Sequence, residues 1–330
     1  MEVFSCLSCF LLTFSLSKVA EMNAIDAIKI NFNPEQLTLL NICLAFIMFG
    51  VALDLRVDNF RELLRRPKAP LIGLSSQLIL LPLLTIGLIY LFRPAPSIAL
   101  GMLLVSACPG GNVSNFAVHL SKANTALSVL MTSVSTLAAV VITPLYFTML
   151  APLVPGSEGL QGDIYVSPMS MVTTIVQLIL VPLLIGMGLH ARFPKTTALL
   201  KKPVRMLSMA IFIGFVIFAL YANYDNIVNY LYIVFYLVVI HNALALFTGY
   251  QWAYRNGLPQ ADARAISIET GIQNSGLALI LIFNFFDGLG GMALVAAFWG
   301  VWHLISAFTL SMWWQFRPIT AAAFGKEQAN

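Results

Sequence analysis

An all-α integral membrane protein is the fold class predicted here, and three observations predict it. Of 330 residues, 59% are hydrophobic and 10% charged, whereas a soluble domain carries about 25% charged residues. Charge-free runs fill 36–53, 69–92, 94–121, 123–157, 164–191, 206–224, 226–254, 270–286 and 288–316. Most exceed the ~18–20 apolar residues that cross a bilayer as a helix. Backbone in lipid must satisfy its own hydrogen bonds, and the runs do not alternate as barrel strands do, so they read as helices.

These runs give nine spans, and ten if residues 2–20, "EVFSCLSCFLLTFSLSKVA", also cross. That segment begins acidic, unlike a secretory signal, and has no Arg, unlike a transit peptide. Cys6, Cys9, Cys43 and Cys108 form neither a disulfide framework nor a metal pattern. The formal charge of +4 sits in loops and points to no nucleic-acid surface. Lys and Arg crowd 55–68 and 192–205. Of the eighteen, all but Lys18, Lys29 and Arg93 fall in alternate loops on one side. The positive-inside rule makes that side cytoplasmic, together with the C-terminus.

No soluble domain or long linker interrupts the chain, which reads as one transmembrane transporter domain over 1–330. The longest external loop, about 153–167, divides it near the middle. Two stretches break otherwise apolar runs with glycine and clustered polar residues: "CPGGNVSNFAV" (108–118) and "ETGIQNSGLAL" (269–279). Counting ten spans, they fall in the fourth and ninth, matching positions of two five-helix halves. Those halves cover about 1–152 and 165–318, with a cytoplasmic tail at 319–330. Five is odd, so the halves lie inverted in the membrane. Paired interrupted helices mark the binding site of a secondary transporter. "QLILLPLL" (77–84) and "QLILVPLL" (177–184) also look alike. Their offset does not fit this register, so they read as coincidence, with Pro82 and Pro182 marking kinks.

Glu269 is the most informative residue. A carboxylate near the bilayer centre costs about 2.5–3.5 kcal/mol on insertion scales. It lies either in the cytoplasmic interface, paired with Arg264, or deeper, with Gln273 one turn on and Asn274 beside it. Oxygen ligands with one negative charge suit a small hard cation. Ser114 and Asn115 follow the first break. Ser128, Thr132 and Thr136 line one face of the next helix, either as ligands or as packing and back-bonding groups. Gln77 is a further polar group in mid-run. His119, His190, His241 and His303 are scattered, without H-E-x-x-H or paired spacing, which argues against zinc hydrolysis. His303 reads as a packing histidine or a substrate contact.

"SACPGGNVSNFAVHLSKANTALSVLMTSVSTLAAVVITP" (106–144) and "IETGIQNSGLALIL" (268–281) closely resemble the bile acid:sodium symporter family, in its bacterial type. "FIMFGVALDL" (46–55), "GLP" (257–259) and "VWHLIS" (301–306) fit it in the same order. The resemblance implies ten helices in two inverted repeats, a panel and a core domain, and broken fourth and ninth helices crossing at cation sites. It implies a first sodium site of Ser114, Asn115, Ser128, Thr132 and Glu269. It implies a second of Gln77, Glu269 and Gln273 with backbone at Thr270 and Ile272. Asn112, where relatives often carry a small or hydroxyl residue, faces the expected substrate cavity; Asn274 and His303 complete the substrate candidates.

The expected function is a sodium-coupled symporter of an organic anion in the cell membrane, the inner membrane of a bacterium, working by alternating access with two sodium ions. Sodium, the anion and lipid are its partners. The expected anion is bile-acid-like or a small carboxylate metabolite, which for a bacterial owner means a keto acid, a pantoate-like acid or another small carboxylate. The alternatives are a proton-coupled carrier using Glu269 and a channel with the broken helices as filter. No nucleophile–base signature, paired catalytic carboxylates or metal motif supports an enzyme.

Overall fold

The computed structural model describes residues 25–26, 34–53, 65–111, 113–161, 167–222 and 224–317. The expected span at 2–20, Asn112 and the tail at 319–330 lie outside them. The described residues are helical throughout, with no β-strand among them. In chain order the main helices are α1 (Pro34–Ala52), α2 (Lys68–Phe92), α3 (Pro96–Ala107), α4 (Ser114–Leu120), α5 (Thr125–Leu150) and α6 (Pro168–Arg192). There follow α7 (Pro194–Ala222), α8 (Tyr224–Arg255), α9 (Gln260–Gly271), α10 (Ser275–Phe285) and α11 (Gly290–Gln315).

Five stretches are long and apolar enough to cross a membrane: Lys68–Phe92, Thr125–Leu153, Pro168–Arg192, Val234–Arg255 and Gly290–Gln315. Three further apolar helices, Leu37–Gly50, Pro96–Ala107 and Ser275–Phe285, are shorter. The runs expected as the fourth and ninth spans therefore do not form single helices. Each is two helices with extended residues between them: Cys108 after α3 and Ile272 after α9.

The helices fall into two packed groups. α1, α6 and α7 pack chiefly on one another. The second group holds α2, α3, α4, α5, α8, α9, α10 and α11. Its two broken runs are among its most buried parts: every residue of α3 from Ser97 to Ala107 is buried, as is every residue of α9 from Ala263 to Gly271. Short, enclosed half-helices need not match the bilayer thickness, because protein rather than lipid surrounds their free ends.

Two proline residues leave matching marks. In α2 the turn Ser76–Leu80 is a π-turn, closed by Leu81 N–H donating to the Ser76 carbonyl. In α6 the turn Val176–Leu180 does the same through Val181 N–H and the Val176 carbonyl. Pro82 and Pro182 follow directly; a proline supplies no N–H to the carbonyl four residues back, and the preceding turn widens. The two "QLIL-x-PLL" stretches thus share local structure, although they hold different places in the fold.

Candidate functional site

Two interruptions meet face to face. Pro-Gly-Gly ends α3 because proline withholds an N–H and glycine favours non-helical backbone. Gly111 N–H donates to the Ile272 carbonyl at 3.0 Å, and Asn274 N–H to the Pro109 carbonyl at 2.8 Å. Between these bonds Gly110 and Gln273 form an antiparallel bridge. The crossing is tight at glycine: a Cβ on Gly110 would stand 3.0 Å from Gln77 Nε2 and 3.0 Å from Glu269 Oε2, so both side chains would have to give way. Each break thereby satisfies backbone groups of the other, which buried irregular backbone requires.

Glu269 sits beside this crossing and is fully buried. Ser114 Oγ donates to its Oε1 at 2.5 Å, and Ser128 Oγ donates to the same oxygen. Thr132 Oγ1 approaches both carboxylate oxygens, at 3.1 and 2.9 Å. Ser128 Oγ also lies 2.7 Å from Asn115 Oδ1. Of the two placements open for Glu269, the pairing with Arg264 is not formed. Arg264, the alternative partner, is buried elsewhere: it donates to the carbonyls of Ser121, Trp314 and Arg317, with its guanidinium over the Trp314 ring at 5.5 Å. It caps the C-terminal ends of α4 and α11.

The π-turn of α2 delivers Gln77 to the opposite side of Glu269. Gln77 Nε2 lies 3.4 Å from the Glu269 carbonyl and 3.4 Å from Gln273 Oε1. Gln77 Oε1, fully buried, has no hydrogen-bond partner among the described residues. Gln273 Nε2 donates to the Thr270 carbonyl at 2.9 Å. A buried oxygen without a donor is costly unless a cation takes it. Carboxylate, hydroxyl, amide and backbone oxygens gather here, the donor set of a hard cation. Among the described residues no three His, Cys, Asp or Glu side chains gather, so the set is not one for a transition metal.

Most of the expected residues therefore share one neighbourhood: Ser114, Asn115, Ser128, Thr132 and Glu269 on one flank, and Gln77, Gln273 and the Thr270–Ile272 backbone on the other. Thr136 bonds the Thr132 carbonyl at 2.7 Å, the back-bonding arrangement. Asn274 caps α10 by accepting from Leu277 N–H at 3.0 Å, and it lines a cavity of about 40 Å³ with Leu40, Cys43, Leu44, Ile47 and Ile280. His303 is buried in α11, its Nδ1 unpartnered among the described residues, and does not line that cavity.

Two contributors escape the sequence reading. Ser135 Oγ accepts from Gly110 N–H at 3.3 Å, and Ser76 Oγ meets Thr270 Oγ1 at 2.9 Å. Both are hydroxyls beside recognised residues, and only the fold shows which hydroxyl faces inward.

Residues 41–230 match the family described as Sodium Bile acid symporter family. This chain belongs to that family. It is 34% identical over 291 residues to a protein of Bacillus subtilis named as an uncharacterized sodium-dependent transporter, covering 88% of this chain and 87% of that one. It is 31% identical to a probable chloroplastic sodium/metabolite cotransporter of Oryza sativa, over 79% of this chain and 64% of that one. A probable chloroplastic sodium/metabolite cotransporter of Arabidopsis thaliana is 32% identical, over 82% and 65%. This symporter-family chain thus spans somewhat under two thirds of each chloroplast relative's length.

Proposed function

We propose that this protein is a sodium-coupled symporter of a small organic anion, a membrane transporter rather than an enzyme. The carrying observation is the buried Glu269 carboxylate, ringed by three hydroxyls at two mutually bonded helix breaks, with Gln77 against the Glu269 carbonyl and its own Oε1 unpartnered. Family membership and relatives named for sodium-dependent transport support the same reading.

One sodium ion would take oxygens from Ser114, Asn115, Ser128, Thr132 and Glu269, whose hydroxyl hydrogens now point at the carboxylate and would turn away. A second would take Gln77 Oε1, Glu269, Gln273 and backbone at Thr270 and Ile272. Shared use of Glu269 ties the two ions to one carboxylate. The anion, a carboxylate or sulfonate, would meet the amide end of α10 beside Asn274, where the helix dipole favours negative charge. Asn112 and His303 remain proposed substrate contacts.

The α1–α6–α7 group would move against the second group in alternating access. Their contact includes a reciprocal amide pair: Asn284 Nδ2 donates to Asn41 Oδ1 at 3.1 Å, and Asn41 Nδ2 lies 3.4 Å from Asn284 Oδ1. Such a pair has to part when the groups separate. Ten helices in inverted repeats and a cytoplasmic C-terminus belong to this reading.

The test is uptake by the full chain in proteoliposomes, with a panel of small carboxylates and sulfonates and imposed sodium gradients. Glu269→Ala and Gln77→Ala should each abolish sodium-dependent uptake while the protein still inserts and purifies. Uptake driven by a pH gradient without sodium would overturn the reading in favour of proton coupling through Glu269. Conductance that does not saturate would favour a channel.

A further inference from the structure

α8 turns one narrow stripe toward the second helix break. Asn242, Leu246 and Gly249 stand at positions i, i+4 and i+7, which face the same way on a helix. A Cβ on Gly271 would lie 2.3 Å from Leu246 Cδ2, and one on Gly249 would lie 2.8 Å from Thr270 Oγ1. Ser267 Oγ donates to the Leu246 carbonyl at 2.7 Å. α8 therefore holds the last turns of α9 at backbone contact.

At the end of that stripe Asn242 Nδ2 donates to the Gly271 carbonyl at 2.7 Å, with Asn242 fully buried. In an unbroken helix this carbonyl would accept from Ser275 N–H. Here Ser275 N–H goes to the Gln273 carbonyl at 2.9 Å. Gly271 O is thus one of the acceptors that the break leaves over, and Asn242 takes it, as Gln273 takes Thr270 O. The amide can be oriented only one way, since turning it over would set Oδ1 against a carbonyl oxygen. Ser306 Oγ of α11 holds that orientation by donating to Asn242 Oδ1 at 2.5 Å.

We infer that Asn242, oriented by Ser306, is a positioning residue for the proposed second sodium site. The Gly271 carbonyl belongs to the Gly271–Ile272 peptide, and Gly271 stands between Thr270 and Ile272, the two residues whose backbone that site would use. Pinning this carbonyl fixes the direction of the backbone on either side of it. Asn242 touches no cation itself. The inference rests on the sodium reading above.

Sodium alone is the probe. The melting temperature of the purified full chain is followed against NaCl, with KCl holding ionic strength constant, for wild type, Asn242→Leu, Asn242→Gln and Ser306→Ala. Losing one buried hydrogen bond of this kind should raise the sodium midpoint of Asn242→Leu about tenfold. Ser306→Ala, which keeps the donor but frees the amide, should give a smaller shift in the same direction. Asn242→Gln, which retains an amide, should recover part of the loss. A structural role alone would lower the melting temperature in KCl and leave the sodium midpoint unmoved. That result in Asn242→Leu, or in Ser306→Ala if the first variant does not fold, overturns the inference. Wild type without any sodium-specific stabilisation would instead overturn the sodium reading itself.

Discussion

α2 and α6 carry nearly the same eight residues, a hundred positions apart, and fold them alike. Each has an eight-residue helix, a five-residue π-turn and a twelve-residue helix with proline at its start. Gln77 and Gln177 both lie in the π-turn. Yet Gln77 is fully buried beside Glu269, whereas Gln177 is exposed. Proline and its missing N–H explain the shared turn. Packing explains the difference: α2 lies in the group that contains both breaks, and α6 packs chiefly on α1, with α5 and α7 beside it. The same local motif brings its glutamine beside a buried carboxylate only in the group that contains both breaks, which is where the proposed reading makes it an ion ligand.

Substitutions at the two motifs should separate these contributions. The largest difference is expected at the glutamines. Gln77→Ala should abolish sodium-dependent uptake, and Gln177→Ala should leave it within about twofold of wild type, since surface changes rarely exceed ~0.5 kcal/mol. Gly110→Ala comes next. Its Cβ would press on Gln77 and Glu269 together, so the sodium half-saturation for uptake should rise about tenfold or more, an overpacking cost of ~1–3 kcal/mol. Among the described residues no equivalent crossing stands over Gln177. The prolines should differ least. Pro82→Ala allows the turn to tighten and Gln77 to rotate away, raising sodium half-saturation severalfold. Pro182→Ala should change thermal stability without changing sodium dependence. Equal effects at both prolines would show that the π-turn acts on global packing rather than through Gln77.

The sequence made much of this legible because burial cost is local. Glu269 and Gln77 stand out in apolar runs whatever surrounds them, and Pro-Gly-Gly announces a break on backbone chemistry alone. Their meeting was not legible in the same way. Ser114 and Ser128 reach Glu269 across 155 and 141 residues of chain, and spacing within one helix does not encode such pairs. The proline kinks were expected, but not the π-turns, which depend on where the freed carbonyl finds a donor. Asn242 gave no signal in "VIHNALAL", because a lone amide in a membrane helix is most often interhelical glue. Its weight comes from Gly271 O, an acceptor created by tertiary structure. Spacing presents Arg264 only as a partner for Glu269, because spacing suggests ion pairs and does not reveal helix ends brought together by the fold.

Equilibrium binding of radiolabelled sodium to the purified full chain tests the central claim most directly, with wild type, Glu269→Gln and Gln177→Ala compared in the absence of any anion. Saturable sodium binding is expected for wild type and Gln177→Ala, and none for Glu269→Gln. Binding by Glu269→Gln equal to that of wild type would contradict the claim.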